Sequence, residues 1–355
     1  DRIKPLPAKM EEYTLDAVLC YADTGVYENV FYLSKYWPLF EIGGVLVGRT
    51  GGPLVLVGGE APEFGGQTPF GMEAVRVCSA FGHTSGPVRG WIGVSYSGLN
   101  DLFSEVTEGR GVLRLGLADY NITPHPLYEQ LRKELLPGGE IIDCGDLLID
   151  LRMKKSAFEQ EMVREACIIS QKAFNNALGK LSPDMTEYEL EGVLNAELYK
   201  NGGEGPSFPT LCYSGYRSRS GIGRSTHNKL GRDTLINIDI GCHYNGYASA
   251  YGRPIIFGKM PDSMKKEIDF MVDLHERLIC DWVKPGMTSE EVYRKYYDWF
   301  MEHGYGAPPA SASHGIGVFE GEPPTFRFNT PTVLKPGMTI AGDHFFRSEN
   351  YGFRF

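Results

Sequence analysis

The chain has 355 residues, 42% of them hydrophobic and 23% charged, with a formal net charge of −10; this length suits two domains with two apolar cores. The acidic balance argues against nucleic acid or an anionic membrane as a partner, because both need a basic face. No apolar run approaches the roughly 18 residues of a membrane span, no signal-peptide pattern opens the chain, and seven scattered cysteines without a CxxC pair exclude a cysteine zinc site and suit a reducing compartment, so a cytoplasmic protein is expected.

Residues 1–150 alternate short apolar runs with glycine-rich breaks. The runs at 15–20, 43–48, 53–58, 91–95 and 112–118 read as strands, with a hairpin at Arg49-Thr50-Gly51-Gly52 and helices near 98–107 and 126–136. This is the pattern of a mixed α/β domain. It contains neither a GxGxxG after a strand nor a GxxxxGK[ST] loop, so nucleotide binding has little support.

Residues 151–355 have a different grain. Ser156 to Glu159 forms a capping box, followed by Phe158, Met162, Ala166, Ile169 and Ala173 at helical spacing as far as about Gly179. A second box, Thr186 to Glu189, starts a helix that stops near Gly202; strands and hairpins are expected over roughly 208–257. The order then repeats, with an amphipathic helix carrying Met264, Ile268, Met271 and Leu278 and a third box at Thr288 to Glu291. Pro183-Asp184-Met185-Thr186 recurs as Pro285-Gly286-Met287-Thr288, with Glu189 and Glu291 at matching places, which points to one ααββ unit used twice around a cleft. A chain that begins at Asp1 and stops in a strand-like segment is expected to be part of a longer product.

Four ordered motifs then carry a resemblance. IDIGCHYNGYASAYGRP (238–254) is similar to a DxG…GYxSDxTR hairpin, SHGIGVFEGEPP (313–324) to GHGIGxxxHExP, LKPGMTIAGDHF (334–345) to LxPGMVxTxEPG, and YGFRF (351–355) to the start of GxRxED. Together they resemble the creatinase, prolidase and aminopeptidase P superfamily. The resemblance implies an α+β chain of two domains: a creatinase-like N-terminal mixed α/β domain (1–150) and a duplicated pita-bread domain (151–355), its C-terminus incomplete.

In that family, peptidases hold two divalent ions with Asp, Asp, His, Glu and Glu. Carried across, the first Asp is Asp239 and the His is His314. The second Asp falls on Ala250, the first Glu on Asp343 with His344 after it, and the last Glu beyond Phe355. Two further family histidines fall on Gly321 and Ile222, the nearest replacement for the latter being His227. Two doubly charged ions about 3.5 Å apart repel by on the order of 20 kcal/mol at an effective dielectric of 20, so losing a bridging carboxylate at Ala250 disfavours a close pair. No metal cofactor is expected; if a single divalent ion binds, Asp239, His314 and Asp343 would hold it.

The catalytic candidates are His227, His314, Asp239, Glu322 and Asp343. Either histidine suits general acid–base work near neutral pH, although His227 reads equally well as an exposed loop residue and Glu322 as part of a surface acid-Pro-Pro loop. Arg217, Arg219 and Arg224, with Tyr247 and His344, are the candidate substrate-binding set, guanidinium groups being suited to a carboxylate; a solvated basic loop is the alternative for the arginines. The expected function is creatinase-like hydrolysis of a non-peptide C–N bond in a small carboxylated substrate, by a homodimer without a dinuclear metal centre. The alternatives are a metal-dependent Xaa-Pro aminopeptidase or dipeptidase and a catalytically inactive member that binds a ligand or partner.

Overall fold

In the computed structural model the described residues are 2–60, 62–82, 94–308 and 311–355. Contacts divide the chain into two compact units, Asp1–Arg152 and Met153–Phe355.

The first unit carries one six-stranded sheet in the order β4-β3-β2-β1-β5-β6, built from β1 (Ala17–Ala22), β2 (Gly43–Gly48), β3 (Leu54–Val57), β4 (Val75–Val77), β5 (Arg114–Leu117) and β6 (Glu140–Asp143). Its helices are α1 (Leu6–Glu12), α2 (Glu28–Ser34), α3 (Pro62–Gly65), α4 (Leu99–Val106), α5 (His125–Lys133) and α6 (Gly145–Met153). Strands β1, β2 and β3 are buried at every position. They therefore read as continuous apolar runs rather than as alternating ones, as expected of strands covered on both faces. The hairpin expected at Arg49–Gly52 joins β2 to β3. The strand expected at 91–95 lies largely outside the described residues.

The second unit begins with α7 (Ala157–Leu178) and α8 (Glu187–Lys200), each opened by the capping box read from sequence. Strands β7 (Leu211–Ser214), β8 (Leu235–Ile240), β9 (His243–Tyr244), β10 (Tyr247–Ala248) and β11 (Tyr251–Ile256) follow. The sheet β11-β8-β7 is antiparallel, and β9 and β10 meet across an Asn245-Gly246 turn with both residues at positive φ (48° and 72°), the twist-compatible hairpin turn those residues favour. Helices α9 (Asp262–Arg277) and α10 (Ser289–Glu302) then repeat the pair, followed by β12 (Ser313–Gly315), β13 (Glu322–Thr325), β14 (Ile340–Gly342), β15 (Phe345–Arg347) and β16 (Gly352–Arg354).

Duplication is visible bond by bond. The Glu187 amide donates to the Asn228 carbonyl at 2.9 Å, and the Ser289 amide donates to Thr332 at 2.9 Å. Leu230 donates to the Met185 carbonyl and Leu334 to the Met287 carbonyl, at 2.9 and 2.8 Å. The two Pro-x-Met-Thr stretches thus pin their helix starts to equivalent strands. Each half has its own core, one around Ile169, Leu190, Leu194 and Ile238, the other around Met271, Leu274, Tyr296 and Phe326. Asn237 of β8 couples the halves: its side-chain amide donates to the Gly352 carbonyl at 2.8 Å, which brings β16 alongside the strand that carries Asp239.

Candidate active site

Within the second unit a cavity of about 890 Å³ is lined by residues of β8, β11, β12, β14 and β16, a volume typical of small-ligand clefts. Asp239, His314 and Asp343 all line it, and so do Ile222, Ala250 and Gly321, the positions where family side chains are replaced. The motifs therefore converge even where their chemistry has changed.

Asp239 sits in the central strand of its sheet, opposite Gly252 rather than Ala250. A methyl group at Gly252 would lie 2.3 Å from an Asp239 carboxylate oxygen, so the glycine makes room for the acid. Tyr213 donates its hydroxyl to the Gly221 carbonyl at 2.7 Å and lies 3.5 Å from Asp239 Oδ2. Burial pushes the Asp239 carboxyl up to about 7; the Arg354 guanidinium pulls it back and the Asp343 charge adds to the rise.

Arg354 is the residue sequence reading missed. Its Nε donates to Asp343 Oδ1 at 3.1 Å, its Nη2 reaches both Asp343 oxygens at 2.5 Å, and its Nη1 donates to the Gly221 carbonyl at 3.2 Å. Burial opposes its charge, but the Asp343 and Asp239 carboxylates more than offset this and hold it protonated. The signal available in sequence was the arginine of the GxRxED-like segment, read there only as a motif match. Glu320 was missed too, in favour of Glu322. It lies 3.3 Å from His314 Nε2, with Asp343 Oδ2 at 3.8 Å on the same nitrogen. Burial opposes protonation of His314, yet Glu320, the Gly315 carbonyl and Asp343 outweigh it and raise its pKa above the ordinary value.

Several expected site residues belong elsewhere. His227 is exposed, packs edge-on against Tyr188 and does not line the cavity. Glu322 is buried in an ion pair with Lys155 at 3.2 Å and accepts the Phe319 amide, because the β13 register turns it away from the cleft. Arg217 pairs with the fully buried Glu187, and Arg219 donates to the Ser348 carbonyl and stacks on Tyr216, so both brace the loop. Tyr247 is buried and donates to Glu159. Arg224 lines the cavity and is exposed. His344 is fully buried behind Gly342, beside the lining rather than on it.

These placements carry a direct test. Arg217→Ala is expected to lower stability by about 2 kcal/mol, because Glu187 loses its only cationic partner among the described ion pairs. Substrate KM should be unchanged, since Arg217 does not face the cavity. Thermal denaturation with steady-state kinetics reads both; a raised KM at normal Tm would return the arginine to the binding set.

The fit of a metal can be judged from the donors. Among the described residues no three His, Cys, Asp or Glu side chains converge as a ligand set. Ala250 offers no donor, and both Asp343 oxygens are engaged by Arg354. As arranged, these residues do not fit a two-ion centre, nor the single ion on Asp239, His314 and Asp343 that the sequence suggested.

Sequence comparison gives the lineage. Residues 161–344 match the model of metallopeptidase family M24, and residues 2–154 match the creatinase/prolidase N-terminal domain. The chain belongs to metallopeptidase family M24. It is 27% identical to an Xaa-Pro dipeptidase from Pyrococcus horikoshii over 341 residues, covering 96% of this chain and 88% of that protein. A Pyrococcus furiosus Xaa-Pro dipeptidase is 31% identical over 202 residues, 57% of this chain and 58% of that protein. The crystal structure of the Pyrococcus horikoshii prolidase superposes with a TM-score of 0.84 at 24% identity, covering 100% of this chain and 93% of that one, which establishes the shared pita-bread fold.

Membership in family M24 places the chain among hydrolytic peptidases, enzymes that cleave C–N bonds. It also overturns the creatinase-like expectation of a non-peptide substrate, because the relative matched along 96% of the chain is an Xaa-Pro dipeptidase and a second Xaa-Pro dipeptidase matches over 57%. That expectation gave a few substituted ligand positions more weight than similarity along nearly the whole chain. No helix among the described residues is long and apolar enough to cross a membrane.

Proposed function

We propose that this M24 protein hydrolyses the peptide bond of a short Xaa-Pro substrate held in the second-unit cavity. The observation that carries the reading is the convergence of Asp239, His314 and Asp343 on one cleft of a chain related along its length to Xaa-Pro dipeptidases.

Each group has a task that its surroundings suit. Asp239, half-ionised near neutral pH, accepts a proton from attacking water and returns it to the leaving nitrogen. His314, whose protonated form Glu320 and Asp343 favour, donates to the carbonyl oxygen as negative charge develops there. Arg354 fixes Asp343 on both oxygens, so the carboxylate that supports His314 is oriented before substrate arrives. Arg224, exposed at the cavity, pairs with the substrate's terminal carboxylate. Apolar walls from Phe208, Pro209 and Ile316 suit a proline ring.

A homodimer and a cytoplasmic setting complete the proposal, the latter supported by seven cysteines that are all free. The deciding assay is hydrolysis of Ala-Pro and Gly-Pro, followed by release of free proline, with Mn²⁺ added and after chelation. Turnover well above the uncatalysed rate in either condition is expected. Its absence in both would refute the proposal.

A further inference from the structure

We propose that a pocket of the first unit, walled by Tyr36, Phe40 and Phe64 and edged by Glu60 and Glu63, binds a primary ammonium group carried on a short apolar body. The pocket encloses about 380 Å³, enough for a small organic molecule. All its lining residues belong to the first unit, so it is a site of its own, whatever the second-unit cavity hydrolyses.

Two loops build it, one leading from α2 to β2 and one following β3. The Glu60 amide donates to Glu41 Oε1 at 2.7 Å and ties the loops together. Two glycines make room for the side chains. A methyl group at Gly58 would lie 2.5 Å from Glu41 Cδ, and one at Gly43 would lie 2.5 Å from Tyr36 Cε1. Neither glycine has a positive φ, so it is space that calls for them. The Tyr36 ring tilts against that of Phe64, with centroids 5.7 Å apart.

Tyr36 is only 2% exposed, and its hydroxyl has no hydrogen-bond partner among the described residues. Buried polar atoms without partners are rare in folded proteins, and one on the wall of a pocket calls for a partner from outside the chain. Burial, with the Glu41 charge beside it, raises the pKa of the phenol. The hydroxyl therefore stays neutral and offers its oxygen as an acceptor. Leu39 and Phe40 complete the lining, each 62% exposed, and give an apolar body a surface to cover.

Charge and spacing select the kind of ligand. The lining holds three carboxylates, from Glu41, Glu60 and Glu63, and no lysine, arginine or histidine. Glu60 and Glu63 are exposed and form no ion pair among the described residues. Nor do three acidic side chains among the described residues stand close enough to hold a metal ion. An organic cation suits carboxylates set apart in this way, and aromatic faces attract it through their quadrupoles. The unpartnered hydroxyl needs an N–H donor, which a primary ammonium supplies and a quaternary one lacks.

The test titrates the full chain calorimetrically with phenethylammonium, phenethyl alcohol and phenethyltrimethylammonium. The primary amine should bind about tenfold more tightly than either of the others, the worth of one hydrogen bond made by a charged group. Tyr36→Phe should abolish the preference over the trimethyl probe. Its Tm should hold or rise, because the substitution removes a buried hydroxyl that has no partner. Glu63→Gln, at an exposed position, should weaken the primary amine by about two- to fivefold, as expected of a solvated charge pair. Equal affinity for the three probes, no saturable binding of the amine, or binding that survives both variants overturns the proposal. So does a clear fall in the Tm of Tyr36→Phe, which would mean that the hydroxyl is bonded within the chain.

Discussion

Asp239→Asn is expected to lower kcat on an Xaa-Pro dipeptide by about 10²- to 10⁴-fold, the usual contribution of a positioned acid–base group. Asparagine keeps the shape and the contact with Tyr213 but cannot take a proton. The same substitution has a stability signature with a definite sign. The carboxyl titrates at about 7 in the folded chain against 3.8 in the open chain. Between those values the folded state binds more protons than the unfolded state, so stability falls as pH rises. The loss, on the order of 4 kcal/mol, is complete above the folded value and absent below pH 4. The variant lacks this titration, so its stability relative to wild type should improve steadily from pH 4 to pH 8. Denaturant unfolding across that range measures it; a constant difference would mean that Asp239 is not held by its burial.

The second large effect is at Arg354. Replacing it with methionine leaves Asp343 and Asp239 facing each other without their shared cation, and breaking such a partly buried pair costs about 3 kcal/mol. For a unit of roughly 200 residues that is a fall in Tm of about 6–12 °C. Freed of the guanidinium, the carboxylates become available to a divalent ion, so Mn²⁺ should raise the Tm of the variant by more than that of the wild type. Ala250→Asp, which returns a donor to the cleft, should strengthen the response. An unchanged Tm in Arg354→Met would show that the carboxylates have another counter-charge.

The helix starts and the internal repeat were legible because their determinants are local. A capping box needs Thr186 and Glu189 three residues apart, and Thr288 repeats it with Glu291. The motif positions were legible too, and Asp239, His314 and Asp343 do share a cavity. Roles within the motifs were harder to read. His227 looked like a replacement for an absent family histidine, yet it faces solvent across from Tyr188. Glu320 and Glu322 differ by two positions; the chain leaves β12 in a bulged register that buries Glu322 against Lys155 and sets Glu320 on His314.

Taken by itself, the amino-acid sequence determined the two-domain α+β plan, the duplicated helix pairs and the family, because these depend on short-range periodicity and on ordered motifs. Tertiary structure alone decided which charges meet. Arg354 reaches Asp343 through β16, held beside β8 by Asn237 across 115 residues of chain. His275 and His344 converge over a glycine from separate elements. Electrostatic and hydrogen-bond energies depend on distance and burial, neither of which linear order contains.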